Sequence, residues 1–433
     1  LIAIGFGSNQ GDRLFQLSEA LRRILQRSLL KPPLRFSSIY SSRALLPAGA
    51  PADWAHLDFL NAVVVGETDC SPDQLWSGLQ AIEKEMGRER KARWAPRMID
   101  LDLLFYHDLK LHSEQLQLPH PEFKNRAFVV EPLRELGVDF PSVTKDHLDC
   151  RQLPLKLLPS ELVSIINLTP DSFSDGNLLD SPARVLEKVR EQVMAGASVI
   201  DIGAESTRPG AASVSEVEEW SRLEASLQFL VPLKEEFPWV KWSLDCRRAN
   251  IWKKAVGVFG FDFCNDVSGG EDSDLLSFLR EFRKPYIFMH HLGIPVDRAR
   301  VLDPMSSASD QILLWVERKI ESLKEKISAD HPLIFDPGIG FGKTAQQSVE
   351  ILANLEKFKA LKLPIYIGHS RKSFLSLVTE APFIDRDLES SVISAQLATK
   401  GVAYLRVHDV EMSRRAIETQ FLVGSQSKGL ASA

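Results

Sequence analysis

Cysteine is scarce in this chain of 433 residues: Cys70, Cys150, Cys246 and Cys264, no two of them in C-x-x-C spacing. That excludes the usual zinc ribbons and dithiol redox pairs, and scattered thiols fit a reducing compartment. No apolar run reaches the roughly 18 residues that a membrane span needs. An excess of positive charge is also missing, with 52 Lys and Arg against 58 Asp and Glu, a net charge of −6. Neither nucleic acid nor an anionic membrane is therefore expected as a partner. The opening LIAIGFGSNQGD reads as a strand and turn rather than a signal peptide. A complete P-loop is missing too. DPGIGFGKT (336–344) ends in Gly-Lys-Thr, but Pro337 stands where the phosphate-wrapping loop needs a glycine, and proline has no N–H to offer. These absences leave a cytoplasmic chain long enough for two or three domains.

What is present falls into two rhythms. Up to about residue 156, strand-like IAIGF, DFLNAVVVGET and IDLDLLFY alternate with two amphipathic helices, LFQLSEALRRILQRSL and PDQLWSGLQAIEKEMG. This order predicts an α+β domain over 1–156. The stretch KDHLDCRQLPLKLLPSE (145–161), with two prolines and no sustained period, reads as the boundary. From 157 to 433, eight short apolar runs recur between helical stretches: LVSIINL, SVIDIG, KWSLD, FDFCNDV, YIFMHH, LIFDPG, PIYIGH and VAYLRVHD. Eight such runs predict a (β/α)8 TIM barrel, with a doubly wound open sheet as the alternative. The polar residues that end these runs, among them Asn167, Asp245, Asn265, Asp336, Ser370 and Arg406, favour the barrel, where all strand C-termini share one rim.

The densest chemistry of the first half is GRERKARWAPRMIDLDLLFY (87–106). In a strand, Asp100 and Asp102 project to one face. Two carboxylates with Arg88, Arg90, Lys91, Arg93 and Arg97 upstream suit Mg²⁺ and phosphoryl transfer, which works by positioning and charge neutralisation. A solvated charged loop beside an ordinary strand is the competing reading for residues of these types.

IGFGSNQGD, FLNAVV, RWAPRMIDLDLLFY and PHPEFKNRAF together resemble 6-hydroxymethyl-7,8-dihydropterin pyrophosphokinases, over about residues 1–155. The resemblance implies a ferredoxin-like α+β fold, ATP as substrate, and two Mg²⁺ ions on Asp100 and Asp102. It makes Arg97 catalytic with that pair, and gives ATP contacts to Arg88, Arg93, Trp94, His120 and Arg126. It gives Asn61, Phe59 and Phe128 to the pterin. The loop at 43–58 is longer than the family's and lacks its Thr-Pro-Pro.

In the second half, NLTPDSFSDG, ESTRPGA, DPGIGFGK, SRKS and RVHD occur at successive strand ends. Each alone has an ordinary reading as a capping loop or surface ion pair. In combination and order they resemble dihydropteroate synthases, over about residues 160–425. That resemblance implies condensation of dihydropterin pyrophosphate with p-aminobenzoate. Asn167, Thr207, Arg406 and His408 would hold the pyrophosphate, with one Mg²⁺ at Asn167. Asp245, Asn265, Met289, Asp336 and Lys372 would bind the pterin. Arg208, Pro209, Phe341 and Ser370 would border the p-aminobenzoate pocket, where sulfonamides compete. Lys372 and Arg208 are its catalytic candidates, and a homodimer through the barrel is the family's habit. Asp245 is followed by CRRA where the family more often has Thr-Ser-Lys-Pro. Cys246 and Cys264 read as small buried residues, and Lys343 as structural or surface.

Two other readings stand beside the bifunctional one. A pterin-dependent methyltransferase barrel shares strand-end Asp and Asn residues, and a non-catalytic pterin-binding scaffold would keep affinity without turnover.

Overall fold

The computed structural model describes residues 1–44, 51, 54, 57–88, 96–113, 115–138, 150–168, 181–206 and 214–423. They divide into two compact units, Leu1–Ser160 with Arg415–Ala433, and Glu161–Arg414.

The first unit is built on a mixed-length antiparallel sheet. Its strands are β1 (Ile2–Ser8), β2 (Lys31–Phe36), β3 (Ser38–Ser42), β4 (Phe59–Glu67) and β5 (Asp100–Tyr106). A small hairpin, β6 (Leu111–His112) with β7 (Gln117–Leu118), follows, and β8 (Cys150–Lys156) completes the sheet. The order is β5-β1-β4-β3-β8, with β2 also on β4. Among the described residues up to Ser160, three α-helices accompany it: α1 (Arg13–Gln26), α2 (Pro72–Glu85) and α3 (Ala127–Glu135). Helix α2 begins where the sequence signals it, through a capping box between Ser71 and Gln74 and proline at its first position.

The boundary reading of 145–161 needs correction at one point: Cys150–Lys156 is a strand, pairing antiparallel with β3 from Ser42↔Cys150 to Ser38↔Lys156. It escaped notice because an edge strand tolerates Pro154 and exposes Arg151 and Gln152, so no clean alternation survives.

Among its described residues the second unit has eight strands, one for each apolar run: β9 (Glu161–Asn167), β10 (Val199–Gly203), β11 (Lys241–Asp245), β12 (Phe263–Asp266), β13 (Tyr286–Met289), β14 (Leu333–Asp336), β15 (Tyr366–Gly368) and β16 (Tyr404–Val407). All are parallel, in the order β14-β13-β12-β11-β10-β9-β16-β15. A parallel bridge between Phe335 and Ile365 joins the two ends of that list, with the Phe335 amide donating to the Pro364 carbonyl at 3.0 Å. The sheet is thus a ring, and the open doubly wound alternative fails at this seam. Helices α4 (Pro182–Ala195), α5 (Glu216–Glu236), α6 (Ala249–Val258), α7 (Ser273–Glu281), α8 (Ala308–Lys326), α9 (Ala345–Ala353), α10 (Asp387–Thr399) and α11 (Val410–Val423) follow the strands in turn, α11 running past Arg414 into the residues grouped with the first unit. Fully buried Trp242, Trp252, Phe288 and Phe335 fill the interior and the strand–helix layer. Because every strand runs the same way, the side chains at their C-terminal ends meet on one rim.

Candidate functional site

On the first unit, the antiparallel pairing sets Gly7 opposite Asp100 and Gly5 opposite Asp102. The two glycines carry no side chain above the sheet, and a pocket of about 110 Å³ opens there. Phe59, Asn61, Arg97, Asp100, Asp102, Arg126 and Phe128 all line it, so seven of the sequence candidates share one cavity. Asn61 is buried and donates to Ser42 Oγ at 2.9 Å, which fixes the direction of its amide. The Arg126 guanidinium stacks 5.9 Å from the Phe128 ring centroid. Arg88 reaches Asp100 at 2.8 Å and Arg97 reaches its other oxygen at 2.7 Å. His120 stands nearby, its pKa lowered by burial and by Arg126. Arg93 and Trp94 lie outside the described residues, as do most of 43–58 and the stretch 89–95.

Burial and the adjacent Asp100 push Asp102 up to about 7, against the pull of Arg126, Arg88 and Arg97. Two carboxylates crowded in this way, offering only hard oxygen ligands, fit Mg²⁺. Among the described residues no cluster of three or more His, Cys, Asp or Glu could hold a metal. Further oxygens, as on a substrate phosphate, would have to complete the coordination shell.

Glu83 escaped the sequence reading. It is 1% exposed on α2, pairs with Arg88, and accepts the Leu101 amide at 2.8 Å. Burial raises it to about 7. The signal was available: Glu83 shares the inward face of α2 with Leu75, Leu79 and Ile82, where an unpaired carboxylate would be costly.

On the barrel rim a cavity of about 610 Å³ is lined by Asn167, Asp245, Phe341, Ser370, Lys372, Arg406 and His408, contributed from the ends of five different strands and the segments after them. Arg406 is its electrostatic centre. Its Nε donates to Asp201 Oδ2 at 2.6 Å and its Nη2 to Asp245 Oδ2 at 2.9 Å. Both carboxylates hold the guanidinium charged. Asp245 is raised to about 7 by burial, with Asp201 adding to the rise and Arg406 opposing it. Ser370 Oγ accepts the His408 amide at 3.2 Å and lies 2.9 Å from its Nδ1, orienting the imidazole. Lys372 donates to the Ile339 carbonyl at 2.5 Å and sits 4.8 Å over the Phe341 ring. Burial lowers it to about 8, with Asp336 resisting.

Asn265, Met289 and Asp336 are buried at the strand ends, Asn265 in register with Asp245 and Met289 with Asp336, and are not among the residues that line the cavity. Asn265 donates to Asp201, and Asp336 accepts the Gly338 amide at 2.7 Å. Arg371, the other cation of SRKS, is committed to a two-point pair with Asp387. Thr207, Arg208 and Pro209 lie outside the described residues, as does 169–180. The CRRA departure has a structural use: Arg247 and Arg248 both hold Glu205, and Arg248 also donates to the Val214 carbonyl at 2.8 Å. Cys246 and Cys264 are buried, with thiols pushed well up by desolvation.

Asp201 is the important omission. It is fully buried in mid-strand and joins Arg406 to Asn265. One carboxylate inside the apolar run SVIDIG was the sign, since such a charge needs a partner.

Fold and sites define a two-site transferase: an α+β unit equipped for phosphoryl transfer, joined to an enzyme barrel with an anion-holding rim. Residues 3–138 match the model of the 7,8-dihydro-6-hydroxymethylpterin-pyrophosphokinase family, and residues 163–408 that of the pterin binding enzymes. The folate synthesis bifunctional protein of Chlamydia trachomatis is 34% identical over 445 residues, covering 96% of each chain. The mitochondrial folate synthesis bifunctional protein of Pisum sativum is 31% identical, over 96% of this chain and 88% of the other. The crystal structure of dihydropteroate synthase from Anaplasma phagocytophilum with bound 6-hydroxymethylpterin-monophosphate is 31% identical, with a TM-score of 0.54 over 60% of this chain and 97% of that one. The chain belongs to the bifunctional folate-synthesis family, in which a hydroxymethyldihydropterin pyrophosphokinase is joined to a dihydropteroate synthase. Among the described residues, no helix is long and apolar enough to cross a membrane.

Proposed function

We propose that residues 1–156 transfer pyrophosphate from ATP to 6-hydroxymethyl-7,8-dihydropterin, and that residues 157–433 condense the product with p-aminobenzoate to give dihydropteroate. The observation that carries this reading is the pair of unlike sites in one chain: Asp100 with Asp102 over a glycine floor, and Arg406 between two carboxylates on a barrel rim.

In the first reaction the pterin ring lies between Phe59 and Phe128, with Asn61 reading its edge. Asp100 and Asp102 are the residues that would hold Mg²⁺, which when bound would supply charge neutralisation for the triphosphate. Arg88 and Arg97, already within 2.8 Å of Asp100, turn from that carboxylate to the phosphates as ATP arrives. Arg93, Trp94, His120 and Arg126 complete the ATP side.

In the second reaction the bond between the pterin methylene carbon and the pyrophosphate oxygen breaks with its electron pair leaving on the pyrophosphate, and the amine nitrogen of p-aminobenzoate bonds to that carbon and gives up one proton. Positive charge develops on the pterin, where Asp245 and Asp336 accept its N–H groups and favour the cation. Arg406, His408 and Thr207 take the departing pyrophosphate, and Asn167 is the residue that would hold Mg²⁺ there. Preorganised charges of this kind lower the barrier because they need no rearrangement as charge develops. Lys372 and Asn265 complete the pterin contacts over Met289. Arg208, Pro209, Phe341 and Ser370 enclose the amine substrate. No covalent enzyme intermediate is required, which leaves the buried cysteines idle. The assignment extends to a cytoplasmic homodimer associating through the barrel, and light scattering in solution tests that part directly.

The decisive experiment supplies hydroxymethyldihydropterin, ATP, Mg²⁺ and p-aminobenzoate and measures AMP and dihydropteroate. Both are expected. AMP without dihydropteroate would leave only the first activity, and methyl transfer in its place would favour the methyltransferase reading.

A further inference from the structure

Lys343 belongs to the Gly-Lys-Thr ending that imitates a P-loop, and neither reaction uses it. A lysine ordinarily faces water, yet this one is buried. Its Nζ lies 2.7 Å from His290 Nδ1, 3.0 Å from the His290 carbonyl oxygen and 2.9 Å from the Phe341 carbonyl oxygen. As an ammonium it donates to all three. As an amine it donates to the two carbonyls and accepts from the imidazole. Either way no donor or lone pair remains for a ligand, although the side chain borders the cavity.

What the contacts do is join the end of β13 to the turn after β14. Gly338 has φ of +67°, and a Cβ there would stand 1.9 Å from the same His290 carbonyl oxygen that accepts from Lys343. The turn is therefore pressed onto this oxygen without slack. The Phe341 amide donates to the Gly338 carbonyl at 3.0 Å, closing the turn. From the cavity side, Lys372 donates to Ile339 and covers the Phe341 ring. Thr344 then caps α9, its Oγ1 accepting the Gln347 amide at 3.1 Å. All three residues of the misleading signature have local work: Gly342 at φ of +73°, Lys343 as a clasp and Thr344 as a helix cap.

We infer that Lys343, acting through His290, is a positioning residue that sets the Phe341 turn and with it the fit of the aromatic amine substrate. Of the residues proposed to read the pterin, Asp245 and Asn265 stand on β11 and β12, which the clasp does not touch, whereas Asp336 ends β14 beside the clasped turn. Substitution should therefore affect the two substrates unequally. The inference rests on the synthase reading of the barrel.

The test is steady-state condensation with preformed dihydropterin pyrophosphate, each substrate varied in turn. Lys343→Met is expected to raise KM for p-aminobenzoate about tenfold, while KM for the pterin pyrophosphate stays within about twofold. Lys343→Gln keeps two N–H donors for the two carbonyls and should recover part of the loss. Binding of the pterin pyrophosphate by calorimetry shows whether each variant retains a folded barrel. If Lys343→Met does not bind it, Lys343→Gln and His290→Leu make the same comparison. Equal rises in both KM values, or a fall in kcat alone, overturn the inference. Wild-type chain that forms no dihydropteroate would instead refute the synthase reading itself.

Discussion

Replacing Asp201 by asparagine is the sharpest perturbation of the barrel rim. The carboxylate is fully buried, accepts Arg406 Nε at 2.6 Å, and takes the Asn265 amide at 3.1 and 3.3 Å. Asparagine keeps the shape but turns one acceptor into a donor facing another donor. Removing one partner of a buried ion pair costs about 3–5 kcal/mol. One effect acts the other way, because Asp201 and Asp245 share a single guanidinium and losing one negative charge eases the other. The expected loss is therefore at the low end, about 3 kcal/mol. Hydrogen exchange read by mass spectrometry over 199–203 and 404–407 measures it in the barrel alone, while AMP formation should be unchanged. A double-mutant cycle with Arg406→Met should show a coupling of about 2 kcal/mol. Additivity within about 0.5 kcal/mol, or a single-variant loss below about 1 kcal/mol, would refute the account of Arg406 as the shared partner.

Asp102→Ala is expected to abolish AMP formation while condensation from preformed pterin pyrophosphate continues; loss of both in a folded variant contradicts two separate sites. Lys372, held near 8 rather than 10.5 by burial, should lose its charge as pH rises through about 8. Synthase turnover then falls across that limb, and Lys372→Arg should move the fall to higher pH. Folding stability has the opposite sign: the folded state binds fewer protons than the unfolded one between 8 and 10.5, so the Lys372 contribution to stability grows with pH there. The urea midpoint of the wild type should rise relative to that of Lys372→Met across that window, because the variant lacks this contribution. Glu83→Gln keeps the bond to Leu101 but loses the ion pair with Arg88. Relief of a buried carboxylate offsets that loss, so chemical denaturation should register less than about 1 kcal/mol, and a cost above about 3 kcal/mol would show the pair to be strongly stabilising.

The barrel was legible because its strands are buried on both faces and therefore appear as short unbroken apolar runs, each closed by polar rim residues. Its seam was not, since the Phe335–Ile365 bridge joins residues with no local pattern linking them. In the first unit, strands β1, β4 and β5 carried recognisable apolar runs, whereas β8 hid behind its edge position and Pro154. Residues that would touch substrate were accessible through motifs. Those that hold such residues were not: Asp201 and Glu83 act by pairing across the fold, and only their charge in an apolar register betrayed them. DPGIGFGKT shows the converse, a local pattern whose apparent meaning the surrounding structure replaces.

The pairing around Arg406 also bears on how substrates arrive. Arg406 and Lys372 are matched by Asp201, Asp245 and Asp336, three acids to two bases, in a chain whose net charge is −6. Those two cations are therefore largely neutralised by acids of the fold itself and add little to any long-range pull on an anionic ligand. Their part in capture is short-range, felt once the ligand has entered and its own charges compete with Asp201 and Asp245 for the guanidinium.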